Sequence, residues 1–71
     1  MNNDLLKRMR AYRGYKQYEI AEIIGLSRQT YNYKENGKLP FTSEEIIKIS
    51  IQLNLRLEEV NDIFFNGQLP N

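Results

Sequence analysis

Four side chains between positions 28 and 33 carry functional groups able to read a base pair. At about 100° per residue, Arg28, Gln29, Asn32 and Tyr33 fall on one arc of a helix, while Thr30, Tyr31 and Lys34 point the other way. In the major groove of a duplex a guanidinium can pair bidentately with guanine, and a carboxamide can do the same with adenine. The Tyr33 ring suits a thymine methyl and its hydroxyl suits a phosphate, and residue type alone leaves both open. A polar face turned to solvent would have the same composition, so the meaning of these residues depends on the scaffold that aims them.

That scaffold begins at Tyr15. Ile20, Ala21 and Ile24 repeat at helical spacing and form an apolar stripe rather than the alternation of a strand. Gly25 can adopt a positive φ without steric penalty and so can end this helix sharply. Leu26 turns back towards the core, and Ser27 is an N-cap for a second helix starting near Arg28. Two short helices joined by a tight turn containing glycine constitute a helix-turn-helix.

Gln17, Glu19, Ala21, Gly25, Ser27-Arg28-Gln29-Thr30 and Glu35-Asn36-Gly37, at these separations, resemble the phage-repressor family of helix-turn-helix proteins, the Cro and Xre type. The resemblance runs from about Leu6 to Phe64. It implies an all-α, compact five-helix, lambda-repressor-like DNA-binding domain with the helix-turn-helix at helices two and three. It also implies an ion pair between Arg10 and Glu35 joining helices one and three, and Gln17 as a phosphate clamp. The loop after helix three is expected close to the DNA backbone, with Lys38 and the N–H groups near Asn36 on phosphates.

Two residues of the helix-turn-helix segment depart from the family pattern. Lys16 stands where Ser or Thr usually caps helix two, and a lysine cannot accept a hydrogen bond, so the first amides of that helix are expected free or water-bound. Lys16 could add charge for a phosphate at the same point. Lys34 stands at an inward position usually held by a large apolar residue. Its stem can lie along the core edge while its ammonium reaches a phosphate or an acidic neighbour. With Arg13, these residues complete the expected phosphate set of Arg13, Lys16, Gln17, Lys34, Asn36 and Lys38.

Elsewhere the chain reads as helices. Asn2 or Asn3 caps a first helix reaching about Arg13, with Leu6 and Met9 facing the core and Leu5 and Tyr12 on the flanks. Gly14 ends it, and Tyr15 packs inward. Asn36-Gly37 and Pro40 stop helix three. Thr42-Ser43-Glu44-Glu45 is a capping box opening helix four, whose Ile46, Ile49, Ser50 and Leu53 face the core. Asn54 suits a left-handed turn after it. Leu57, Val60 and Phe64 then repeat at helical spacing.

Helix four carries a second apolar stripe, Ile47 and Ile51, the latter where the family often has lysine. A small helix apolar on two sides is deeply buried or faces a partner. Together with Phe64, Phe65 and Leu69 these residues form a candidate dimer interface. The apolar tail is equally suited to covering its own core. Residues 1–65 are expected to form the DNA-binding domain and 66–71 a C-terminal tail contributing to the interface.

Composition narrows the function. Hydrophobic residues make up 41% and charged residues 27% of the 71-residue chain, an ordinary globular balance that argues against disorder. With neither Cys nor His, disulfides, Cys/His zinc sites and Ser-His or Cys-His catalysis are excluded by inventory, and no cofactor is expected. No run approaches membrane-spanning length, and the start lacks a basic segment followed by an apolar one, so a cytoplasmic protein is expected. The net charge of +1 divides unevenly: residues 1–38 hold eight cations and four anions, net +4, and residues 39–71 two and five, net −3. A polyanion would be drawn to the half containing the motif. The sequence therefore points to a non-enzymatic regulator, probing double-stranded operator DNA as a homodimer and acting as a repressor. A protein-interaction module, such as an antitoxin or anti-repressor with secondary DNA binding, is the alternative.

Overall fold

The computed structural model describes residues 1–68, and five helices account for its regular structure: α1 (Asn3–Tyr12), α2 (Gln17–Ile24), α3 (Arg28–Glu35), α4 (Ser43–Gln52) and α5 (Leu57–Phe64). No strand occurs among the described residues. The fold is thus the all-α architecture expected.

Three of the helices, α1, α3 and α4, start where a side chain can accept from the first free amides. Asn2 Oδ1 accepts from Leu5 N–H at 3.1 Å, Ser27 Oγ from Thr30 N–H at 3.1 Å, and Thr42 Oγ1 from Glu45 N–H at 3.1 Å, with Glu45 Oε1 accepting in return from Thr42 N–H at 2.9 Å. Lys16 and Arg56 stand at cap positions without an acceptor, and only the reciprocal half of the box forms. Glu19 Oε1 accepts from Lys16 N–H and Glu59 Oε1 from Arg56 N–H, both at 2.8 Å. Gly25 ends α2 at φ 81°, and Asn54 takes φ 51° after α4, so both predicted left-handed turns are present.

The core is formed by Leu6, Ile20, Ala21, Ile24, Tyr31, Ile49, Leu53 and Ile63, with Met9, Tyr15, Leu26, Phe41 and Phe64 packed around it. Every helix contributes to this cluster, so no pair of helices can shift without opening it. Asn2 N–H donates to the Ile63 carbonyl at 2.7 Å and joins the start of α1 to α5. Phe41 lies between Tyr31 and Phe64, with ring centroids 5.9 and 5.7 Å away, and so seals the loop after α3 against α5.

The inward face of α5 departs from the sequence expectation. Ile63 and Asn61 are buried, while Leu57 is 68% exposed. Leu57 has the right angular position but is the first residue of α5, so its side chain overhangs the end of the core. Ile46 is only half-buried, and Ser50 turns its hydroxyl onto the Ile46 carbonyl at 2.6 Å.

Candidate nucleic-acid interface

The outer face of α3 is held from behind. Glu35 is fully buried and accepts from side chains on three helices. Arg10 on α1 donates through Nε to Oε1 at 2.7 Å and through Nη2 to Oε2 at 3.4 Å. Tyr31, one turn back on α3, donates its hydroxyl to Oε1 at 3.2 Å, and Gln17 at the start of α2 donates its amide to Oε2. Arg10 also donates through Nη1 to the Tyr15 carbonyl at 2.7 Å, fixing the turn between α1 and α2. The ion pair implied by the resemblance is present. The additional donors, Tyr31 and Gln17, were not foreseen, although the four-residue spacing of Tyr31 and Glu35 on the inward face signals their contact.

Burial, reinforced by the adjacent Glu35 charge, pushes the Tyr31 phenol well above its ordinary value. A second clamp lies one residue away, where Lys34 Nζ meets Glu45 Oε1 at 2.6 Å with both side chains largely buried. Burial alone would raise the Glu45 carboxyl. The Lys34 ammonium and the Thr42 N–H outweigh it and hold the group below its ordinary value. Of the two partners open to Lys34, the structure shows the acidic one. The ammonium ties α3 to α4, and the stem covers the core edge.

On the outer face Arg28 is exposed, with no hydrogen bond or ion pair among the described residues. Gln29 Nε2 donates to Tyr33 Oη at 2.9 Å, and Lys38 Nζ sits 5.5 Å from the Tyr33 ring centroid. Asn32 is half-buried and donates through Nδ2 to Gln17 Oε1 at 3.2 Å. Arg28, Gln29, Asn32 and Tyr33 are thus brought to one side of α3, with Lys38 at its end.

The expected phosphate residues do not form one group. Lys16 is exposed at the start of α2, where the Gln17 and Tyr18 amides have no partner among the described residues. Gln17 spends its side chain on Glu35 and Asn32. Asn36 Nδ2 donates to the Asn32 carbonyl at 2.9 Å, and the Asn36, Gly37 and Lys38 amides bond back to Asn32, Lys34 and Tyr33 carbonyls at 3.0, 3.1 and 2.8 Å. These amides close the end of α3 and are not free for a phosphate, contrary to expectation. Gly37 closes the turn at φ +78°, a left-handed conformation that favours glycine. Arg13 Nε donates to the Leu53 carbonyl at 2.9 Å, and its guanidinium lies 5.3 Å from the Tyr12 ring, tying it to the end of α4.

Of the candidate dimer residues, Ile47 is 58% and Ile51 74% exposed, and Phe65 is also exposed. With Ile46, Ser50 and Val60 they line an apolar groove of about 350 Å³ between α4 and α5. Phe64 instead packs edge-on against Phe41 at the core. Leu69 lies outside the described residues.

A capped second helix, braced by buried pairs and presenting polar side chains outward, defines a helix-turn-helix DNA-binding domain. A family model described as helix-turn-helix matches residues 6–60, and the chain belongs to that family, the Cro and Xre type. It is also 33% identical over 63 residues to a Thermococcus gammatolerans protein named "Putative HTH-type transcriptional regulatory protein", covering 87% of this chain. The chain spans 17% of the length of that relative. No solved structure matches the chain. No helix among the described residues is long and apolar enough to cross a membrane.

Proposed function

We propose that the chain is a sequence-specific transcriptional regulator, a repressor that binds a pseudo-palindromic double-stranded operator as a homodimer. The observation that carries this reading is the outer face of α3, where Arg28, Gln29, Asn32 and Tyr33 stand together while buried Glu35 and paired Lys34 fix the helix from inside. Arg28 is suited to guanine, and Gln29 and Asn32 to bases offering amino groups. Lys16, Lys38 and the free amides opening α2 are placed for phosphates. Residues 1–65 serve as the DNA-binding domain, and Phe65 at its end lines the proposed dimer surface. A two-fold pair would read half-sites about 34 Å apart, one helical turn. The Thermococcus relative, named as a transcriptional regulator, supports the same reading.

Selection of bound duplexes from a random pool tests specificity, spacing and symmetry together. In titrations, Gln29→Ala should relax preference at one position, by up to about 1–3 kcal/mol against the wrong base, whereas Lys38→Ala should weaken all sequences and lower the salt slope by about one. Equal loss on every duplex from Gln29→Ala would contradict base reading by that residue.

The second reading, a protein-interaction module of the antitoxin or anti-repressor kind, draws on the exposed Ile47, Ile51 and Leu57. Light scattering with and without operator DNA separates the two, since a dimer that already hides this face removes the need for another partner.

A further inference from the structure

We infer that buried Glu35, acting through Gln17, fixes the hydrogen-bond polarity of Asn32 and so sets which bases that residue accepts. The inference rests on the proposed base-reading role of α3. It starts from chemical inventory: a carboxylate held by a guanidinium accepts hydrogen bonds and has none to give. Glu35 receives Arg10 through both oxygens, the Tyr31 hydroxyl on Oε1 and Gln17 on Oε2.

Gln17 must therefore turn its NH₂ group to Glu35. A planar carboxamide carries its oxygen on the opposite side, so Gln17 Oε1 is left facing α3 as an acceptor. Asn32 must meet it with Nδ2, and does so at 3.2 Å. Asn32 Oδ1 is then directed away from Gln17, and no donor within the described residues engages it. Flipping either amide would set oxygen against oxygen at one of the two junctions.

In the major groove an outward oxygen calls for a base with an exocyclic amino group, adenine through N6 or cytosine through N4, and meets O6 of guanine or O4 of thymine unfavourably. Asn32 thus discriminates by the atom it shows, and the core determines that atom. Gln29 is the internal contrast. Its Nε2 lies 2.9 Å from the Tyr33 hydroxyl, which can either donate or accept, so nothing fixes that amide's direction. Gln17 is accordingly a positioning residue whose side chain acts through Asn32, while its backbone N–H remains available at the start of α2.

The test is selection of bound duplexes by the full chain and by its Asn32→Ala and Gln17→Ala variants. Asn32→Ala identifies the position that Asn32 reads. There the unaltered chain should favour adenine and cytosine over guanine and thymine by about tenfold, and Gln17→Ala should shrink that ratio to about twofold while leaving the Gln29 position unchanged. Gln17→Ala lowering binding to every duplex by one factor, with all preferences intact, would make the Gln17 side chain a phosphate clamp and overturn the proposal. A chain that selects no sequence at all overturns the functional reading itself, a distinct result. Should Gln17→Ala not fold, NMR of the unaltered chain without DNA decides. The Asn32 side-chain amide should show one proton protected from solvent exchange, and exchange of both at the rate of a free carboxamide would refute the relay.

Discussion

The inner side of α3 and the outer side of α4–α5 treat their side chains in opposite ways. Behind α3, every polar group is engaged: Glu35 gathers α1, α2 and α3, Lys34 reaches α4, and no buried side-chain polar atom among the described residues lacks a partner. On α4–α5, Ile47 and Ile51 stand more than half exposed along an apolar groove, and Leu57 at the start of α5 is 68% exposed. A polar network with all members satisfied is directional and holds one arrangement, which a base-reading helix needs. An exposed apolar face is non-directional and gains only from being covered. The molecule thus places its directional contacts behind α3 and leaves its non-directional apolar surface on α4–α5.

The contrast is broken most forcefully at Arg10. Replacing it by Met leaves the buried Glu35 carboxylate without its cation, and the expected loss is about 3–5 kcal/mol, because stranding one partner costs more than the pair contributes. In a chain of this size that is most of the folding free energy. Arg56→Met provides the control. Arg56 pairs with Glu58 at 3.2 Å and with Glu59 at 3.5 Å, but its own side chain is 75% exposed, so its removal should change stability by no more than about 0.5 kcal/mol. Urea unfolding of both variants reads the difference, and comparable losses would reduce the network behind α3 to an ordinary surface pair.

A smaller effect sharpens the account of what the network holds. Tyr31→Phe removes one donor to Glu35 and should cost about 1–2 kcal/mol at neutral pH. Its pH signature is more specific. Burial and the Glu35 charge raise the folded-state phenol above its ordinary value of 10.0, so the folded form keeps a proton that the unfolded chain gives up. The corresponding stability is intact below that value and falls as pH rises above it, by up to about 1.4 kcal/mol per pH unit from this group. The gap in urea midpoint between the native chain and Tyr31→Phe should therefore narrow between pH 9 and 11. A constant gap would mean that the hydroxyl titrates freely.

How far this was visible beforehand follows from how local each signal is. Gly25, Ser27 and the Thr42–Glu45 box announce helix ends because capping depends on residues within one turn. The Ile20, Ala21 and Ile24 stripe was legible because helical period and burial coincide there. Leu57 misled, since period gives an angle but not a height, and the core stops short of the first turn of α5. In sequence, Gln17 and Asn32 are separate signals, a phosphate clamp by resemblance and a base reader by position. Their mutual bond needs the fold that sets α2 across α3, fifteen residues away in sequence. The resemblance turns the amides near Asn36 outward because the family loop lies near DNA, whereas the closure of α3 engages those of Asn36 to Lys38 locally.

The smallest effect on stability tests the other side of the contrast. Ile51 is 74% exposed, so Ile51→Glu removes little buried apolar area and should shift folding stability by no more than about 0.5 kcal/mol. If α4–α5 is the dimer surface, the same change inserts a charge at its centre, where an unpaired carboxylate must be desolvated on association. Light scattering should then show a monomer for Ile51→Glu where the native chain is a dimer, with an unchanged thermal unfolding midpoint at low protein concentration. Operator binding should weaken for palindromic duplexes far more than for single half-sites, because the linked second contact is lost while α3 is untouched. A native chain that is monomeric both free and on a palindrome would instead assign this face to a different protein, and the precision behind α3 would serve a single half-site.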